Sequence, residues 1–290
     1  MRTQAEMMEL ILGFARGDER VRAAAMNGSR TNPNAPRDPF QDYDIVYLVS
    51  EVDSFKRDPH WIDRFGERIV MQTPDDSALF PAGNRSRYAY LMLFADGNRL
   101  DLTLVPLAEK DAYLREDKLT VVLLDKDGAL PSLPAPSDED YWVRPPSAAE
   151  FASCCNEFWW VYPYVAKGLW RREILYALEH LNAYVRPMLI RMLEWRAGIE
   201  TGFSLSTGKS GKYLQRYMSE ERWRRLLATF ADGNAENVWR ALLAMGDLFR
   251  ETATEVAESF GYVYPSEDDR RVTEYARHVR ALPPDATEVY

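Results

Sequence analysis

Cysteine is nearly absent from this 290-residue chain: there are two, Cys154 and Cys155, and they are adjacent. They cannot staple distant segments together, and they offer no zinc-ligand spacing. Histidine is equally scarce. His60, His180 and His278 are scattered without a short metal-binding interval, which argues against a zinc hydrolase or a histidine-based triad. Long apolar runs are missing too; Val121 to Leu124 is far short of the ~20 residues that a bilayer span requires. No basic stretch followed by an apolar one opens the sequence, so no secretory leader is expected and a cytoplasmic location is. Positive charge is in deficit, since 36 Lys and Arg against 45 Asp and Glu leave a net charge of −9. Such a surface repels nucleic acid, disfavours a polymerase or tailing role, and draws cations. Apolar residues, at 46%, suffice for packed cores, and the length suggests two domains.

The pattern along the chain changes midway. Met7, Met8, Leu10, Ile11 and Phe14 fall on one helical face over Gln4 to Arg16, closed by Gly17 and Asp18. Val21 to Met26 reads as a short buried strand running into a turn at Asn27-Gly28-Ser29. Asp42 to Val49 is rich in β-branched and aromatic residues and predicts a second strand. Residues 53–66 mix helix and loop signals. Tyr88 to Phe94 and Arg99 to Val105 flank Asp96-Gly97-Asn98, a hairpin turn, and Val121 to Leu124 predicts a further strand. Pro131, Pro134, Pro136, Pro145 and Pro146 then mark a connector. Ser147-Ala-Ala-Glu150 is a capping box announcing a helix to about Lys167, with Gly168 as its stop. A second helix is expected from about Arg172 to Trp195, kinked at Pro187, and shorter ones around 219–230, 235–259 and 269–281. The expected fold is α+β: a mixed-sheet α/β domain over residues 1–146 and an all-helical bundle domain over 147–290.

Three acids stand out. Asp42 and Asp44 are two apart on one strand, so their carboxylates share a face, about 7 Å apart along it. Asp101 opens an alternating strand, Leu100-Asp-Leu-Thr-Leu-Val105, and joins them if the two strands are neighbours. Two like charges about 5 Å apart at an effective dielectric near 20 repel by roughly 3 kcal/mol, so the cluster calls for a cation. Magnesium, bound through oxygen with positions left for phosphate, suits it. The turn upstream fits the same chemistry. Gly28 lets backbone approach a triphosphate, Ser29 offers a hydroxyl and N–H groups to phosphate oxygens, and Arg30 adds charge-assisted bonds.

A Gly-Ser turn, a paired-Asp strand and a third strand carboxylate resemble the DNA polymerase beta-type nucleotidyltransferase superfamily. More closely, Asn27-Gly-Ser-Arg-Thr-Asn32, Phe40-Gln-Asp-Tyr-Asp-Ile45 and Asp96-Gly-Asn-Arg-Leu-Asp-Leu-Thr-Leu104 resemble the aminoglycoside 6-adenylyltransferases. The likeness continues through Cys154-Cys-Asn-Glu-Phe-Trp159, Lys167-Gly-Leu169, Glu179-His-Leu-Asn182, Arg186-Pro187 and Gly208-Lys209, covering nearly the whole chain.

The resemblance implies that the first domain is a nucleotidyltransferase domain and the second binds substrate. It implies magnesium-dependent transfer of AMP from ATP to a hydroxyl of streptomycin, a cationic aminoglycoside, and hence drug resistance. Asp42 and Asp44 would hold the metal, with Asp101 as a metal-linked base. Lys167, then Lys209 and Lys212, would meet the leaving pyrophosphate. Glu157 and Glu173 would face the drug's guanidinium groups, and Trp159 would stack on it. Other readings are a relative acting on another small molecule or a protein, and a nucleotide sensor without activity. Neither nucleic acid nor membrane is expected as a partner, and a monomer or a homodimer is.

Overall fold

Thr3 caps the first helix with a capping box: its hydroxyl accepts from the Glu6 N–H, and its own N–H donates to the Glu6 carboxylate. In the computed structural model, which describes residues 1–80 and 86–290, this helix is α1 (Gln4–Gly17). The strands are β1 (Val21–Asn27), β2 (Tyr43–Val49), β3 (Arg68–Gln72), β4 (Tyr88–Phe94), β5 (Arg99–Pro106) and β6 (Val121–Asp125), with short helices α2 (Asp53–Arg57) and α3 (Lys110–Tyr113) between them. They form one sheet in the order β3-β4-β5-β2-β1-β6. Among the described residues only β2 and β5 pair in parallel; the other neighbours are antiparallel. The sequence did not announce β3. Ile69, Val70 and Met71 are all exposed on this edge strand, so the apolar-polar alternation that marks a half-buried strand never arises.

Strand alternation sorts the sheet into two faces of unequal cover. Tyr43, Ile45, Tyr47 and Val49 of β2, with Leu100, Leu102 and Leu104 of β5, join Met7, Ile11 and Phe14 of α1 in the larger core. Val46, Leu48 and Val105 point the other way, into a small cluster with Ala23, Ala25 and Tyr113. Asp44, Arg99 and Asp101 share the parity of that thinner side, where polar groups keep access to water.

The chain divides into two units, Met1–Asp140 and Tyr141–Tyr290, so the boundary drawn at Pro146 from the sequence falls just inside the second. Helices make up that unit: α4 (Ala148–Trp170), α5 (Ile174–Glu179), α6 (Arg186–Thr201), α7 (Glu220–Leu227), α8 (Ala235–Phe260) and α9 (Ser266–Ala281). Ser147 and Glu150 form the expected capping box at α4. Gly168 does not stop α4, which runs on to Trp170. It is a packing glycine, since a Cβ there would lie 2.8 Å from the Tyr176 ring and 3.3 Å from Ala177 of α5. The expected helix with a break at Pro187 is present. α5, a π-helical segment over His180–Val185 and α6 form one unbroken helical run. The π segment lies directly before Pro187, whose missing N–H interrupts the regular ladder there. Among the described residues no helix is long and apolar enough to cross a membrane.

Candidate active site

Parallel pairing of β2 with β5 sets Asp44 directly beside Asp101. Asp42 lies just ahead of β2 rather than within it. Burial, and then the charges of Asp101 and Asp42, push the Asp44 carboxyl up to about 6. Among the described residues no hydrogen bond or ion pair reaches that carboxylate. Asp101 is different: Arg99, two residues back on the same face, donates from Nε to Oδ1 and from Nη2 to Oδ2, both at 2.8 Å. The same Nε lies 3.7 Å from Asp42 Oδ2. Sequence reasoning passed over Arg99, although its spacing from Asp101 already put both on one face.

Gly28 follows β1 in a left-handed conformation, φ +75°, and a Cβ at this position would run into the Asp44 carboxylate. Only glycine permits so close an approach of turn and acid. Asn27, the register partner of Asp44, anchors the turn from below. Its Nδ2 donates to Thr120 Oγ1 and its Oδ1 accepts from the Tyr113 hydroxyl, both at 2.6 Å. Ser29 accepts at its carbonyl from Gln41 Nε2 at 3.0 Å. Arg30, expected to reach for phosphate, is instead turned onto the loop. Its Nε donates to the Asp42 carbonyl and its Nη2 to the Gln41 carbonyl, and its guanidinium lies 3.7 Å over the Tyr43 ring. It holds the turn against the strand that carries the acids.

The second unit gathers fewer of its expected residues. Lys167, in the last turn of α4, rests 4.0 Å over the Tyr164 ring, and Lys212 lies 5.0 Å over Tyr213. Lys209 borders a cleft of about 610 Å³ with Trp142, Arg191, Glu194 and Thr207. Glu157 on α4 and Glu173 ahead of α5 are exposed, and among the described residues no ion pair engages either. Trp159 is corrected: it is 2% exposed, packs on Phe158, Tyr162 and Phe249, and donates to the Tyr264 hydroxyl. A core residue of this kind offers no open face for stacking; its neighbour Trp160, 65% exposed, does.

Among the described residues no three His, Cys, Asp or Glu side chains already stand so as to enclose a metal ion. The expected three-carboxylate cluster is thus only partly assembled, with Asp101 held by Arg99. The donor chemistry nevertheless fits a hard divalent cation. All the donors are carboxylate oxygens, and Asp44, crowded by Asp101 and Asp42, has no ion pair of its own among the described residues.

A mixed sheet whose strand carboxylates face a Gly-Ser turn defines a nucleotidyltransferase. The chain belongs to the streptomycin adenylyltransferase family, whose pattern matches residues 1–279. It is 45% identical to an aminoglycoside 6-adenylyltransferase of Bacillus subtilis over 280 residues, covering 96% of this chain and 98% of that one. A protein of the same name from Campylobacter jejuni is 44% identical, covering 93% of each chain. Among solved structures, an aminoglycoside 6-adenyltransferase from Bacillus subtilis is 40% identical, covering 97% of this chain and 100% of that one, with a TM-score of 0.49.

Proposed function

We propose that this adenylyltransferase moves AMP from ATP to a hydroxyl of streptomycin, in the cytoplasm, with magnesium, and so protects its host from the drug. The observation that carries the reading is the pairing of Asp44 with Asp101 in adjacent register, facing a turn at which only glycine fits. The curated relatives, named for adenylyl transfer to the 6 position of an aminoglycoside, support the substrate class.

Asp42, Asp44 and Asp101 would hold magnesium, which when bound offsets charge on the phosphates and acidifies a nearby hydroxyl. The chain's own groups do the rest. Backbone N–H groups at Gly28 and Ser29 receive phosphate oxygens, and Arg30 and Asn27 keep that turn in place. The drug hydroxyl attacks the α-phosphorus in line, its proton passing to Asp101, while the bond between that phosphorus and the bridging oxygen breaks and pyrophosphate departs. An aspartate is a weak base for a free alcohol, so the transfer depends on an acidified hydroxyl. Lys167, Lys209 and Lys212 meet the charge on the departing pyrophosphate. Glu157 and Glu173 take the guanidinium groups of the drug, helped by the net charge of −9, which concentrates cations around the protein.

The test is incubation with ATP labelled at the α-phosphate and a panel of aminoglycosides, following label on the drug and release of pyrophosphate. Labelled streptomycin is expected. A panel that stays unlabelled throughout would refute the reading.

A further inference from the structure

We propose that Arg99 is the protein's own occupant of the cation position, exchanged between Asp101 in the empty enzyme and a phosphate oxygen of the nucleotide in the loaded one. The inference rests on the reading above of the carboxylates as metal ligands.

Its basis is the way one guanidinium is divided between two of the three acids. Both oxygens of Asp101 face Arg99 at 2.8 Å, and Asp42 lies at 3.7 Å from the same Nε. Asp44, the register partner of Asp101, has no hydrogen bond or ion pair with it among the described residues and feels its charge only at longer range. Among the described residues Arg99 has no other ion pair than these two. A carboxylate whose oxygens are both engaged by a guanidinium has to be freed before it ligates a metal, so bare metal competes with a tethered cation that never diffuses away. A nucleotide changes the balance. Its phosphates offer the planar guanidinium a partner of the same bidentate geometry, and the side chain, 44% exposed, is not locked by packing. Metal and nucleotide then bind as a pair, each favouring the other by the same factor. Arg99 thereby selects the metal–nucleotide complex over free metal, a choice that the carboxylates alone cannot make.

The exchange predicts opposite signs for two affinities. Mn²⁺ serves as the probe, its free concentration read by electron paramagnetic resonance in titrations of the full chain with no drug present. Without nucleotide, Arg99→Gln should bind Mn²⁺ about tenfold or more tightly than the unaltered protein. For Mn-ATP, followed by calorimetry at saturating Mn²⁺, the same variant should bind about tenfold more weakly, having lost its phosphate contact. Arg99→Lys, which keeps the charge without the fork, should fall between the two on both scales. A residue that only shaped the strand would weaken both affinities together. If Arg99→Gln leaves bare Mn²⁺ binding unchanged, or leaves Mn-ATP binding unchanged, the exchange is overturned. The control is Asp44→Asn. If it abolishes Mn²⁺ binding, the metal reading stands whatever Arg99 does. If it leaves Mn²⁺ binding intact in the Arg99→Gln background, the carboxylates are not the ligands, and both readings fall.

Discussion

Burial shapes Asp44 more than its charged neighbours do, and the direction of that effect has a thermodynamic signature. Its carboxyl is pushed up to about 6, whereas in an unfolded chain it titrates near its ordinary value of about 4. Between those limits the folded state holds the extra proton, so stability falls as pH rises from about 4 to about 6 and stays lower above. Asp44→Asn removes the charge while keeping the shape. In chelator, melting curves should show the variant more stable than the parent at pH 7.5, by about 1–2 kcal/mol, and equal to it at pH 4. A variant that melts lower at pH 7.5 would show that the Asp44 charge is not strained. Asp42→Asn, Asp44→Asn and Asp101→Asn should each lower adenylyl transfer by orders of magnitude; a variant keeping more than about a tenth of the activity would release that residue from its role. Gly28→Ala tests the approach of turn to acid. Displacing the Asp44 carboxylate or the turn by about 1 Å should cost around a hundredfold in turnover. Full activity would mean that the turn does not face the reaction.

At the scale of elements, one glycine decides how closely two helices meet. Gly168→Ala would force its methyl into the Tyr176 ring and should destabilise the fold by about 1–3 kcal/mol in urea unfolding. Tyr176→Ala in the same chain should restore part of that loss, and strict additivity of the two effects would deny their contact. The sequence already carries the capping box at Ser147, the strand parity of Asp44 and Asp101, and the turn at Gly28, because each is a local rule of spacing or backbone geometry. Trp159 was legible in principle. Cys155, Phe158, Trp159, Tyr162 and Ala166 recur at helical spacing and are all buried, a stripe that separates Trp159 from exposed Trp160. The π segment His180–Val185 is marked only indirectly, by Pro187 just after it, which predicts a kink but not the form the kink takes. Nor could spacing alone say that Arg99 pairs with Asp101, and that Arg30 turns to carbonyls, because a charged side chain takes its partner from three-dimensional neighbours.

For the whole molecule, the proposed division of labour between the two units should appear in kinetics. Glu157→Gln and Glu173→Gln should each raise the KM for streptomycin by roughly ten- to hundredfold and leave that for ATP nearly unchanged, the loss of a charge-assisted contact. Lys167→Ala should mainly lower kcat, since its charge matters as pyrophosphate leaves. Steady-state rates with each substrate varied in turn decide it. Equal effects on both substrates would remove the two glutamates from the drug site.

The parallel pairing of β2 with β5 also bears on how the protein is made. Antiparallel neighbours such as β4 and β5 can zip together from a hairpin while the chain is still short. Asp44 and Asp101 cannot: their strands meet only after the intervening segment, with β3 and β4, has been synthesised and folded back. On a ribosome, a chain stalled before Arg99 would carry both Asp42 and Asp44 but neither β5 nor Asp101, so the strand pair that sets the acids side by side could not form. The proposed site is thus tied to a non-local strand pair, and it can be completed only once that pair has closed.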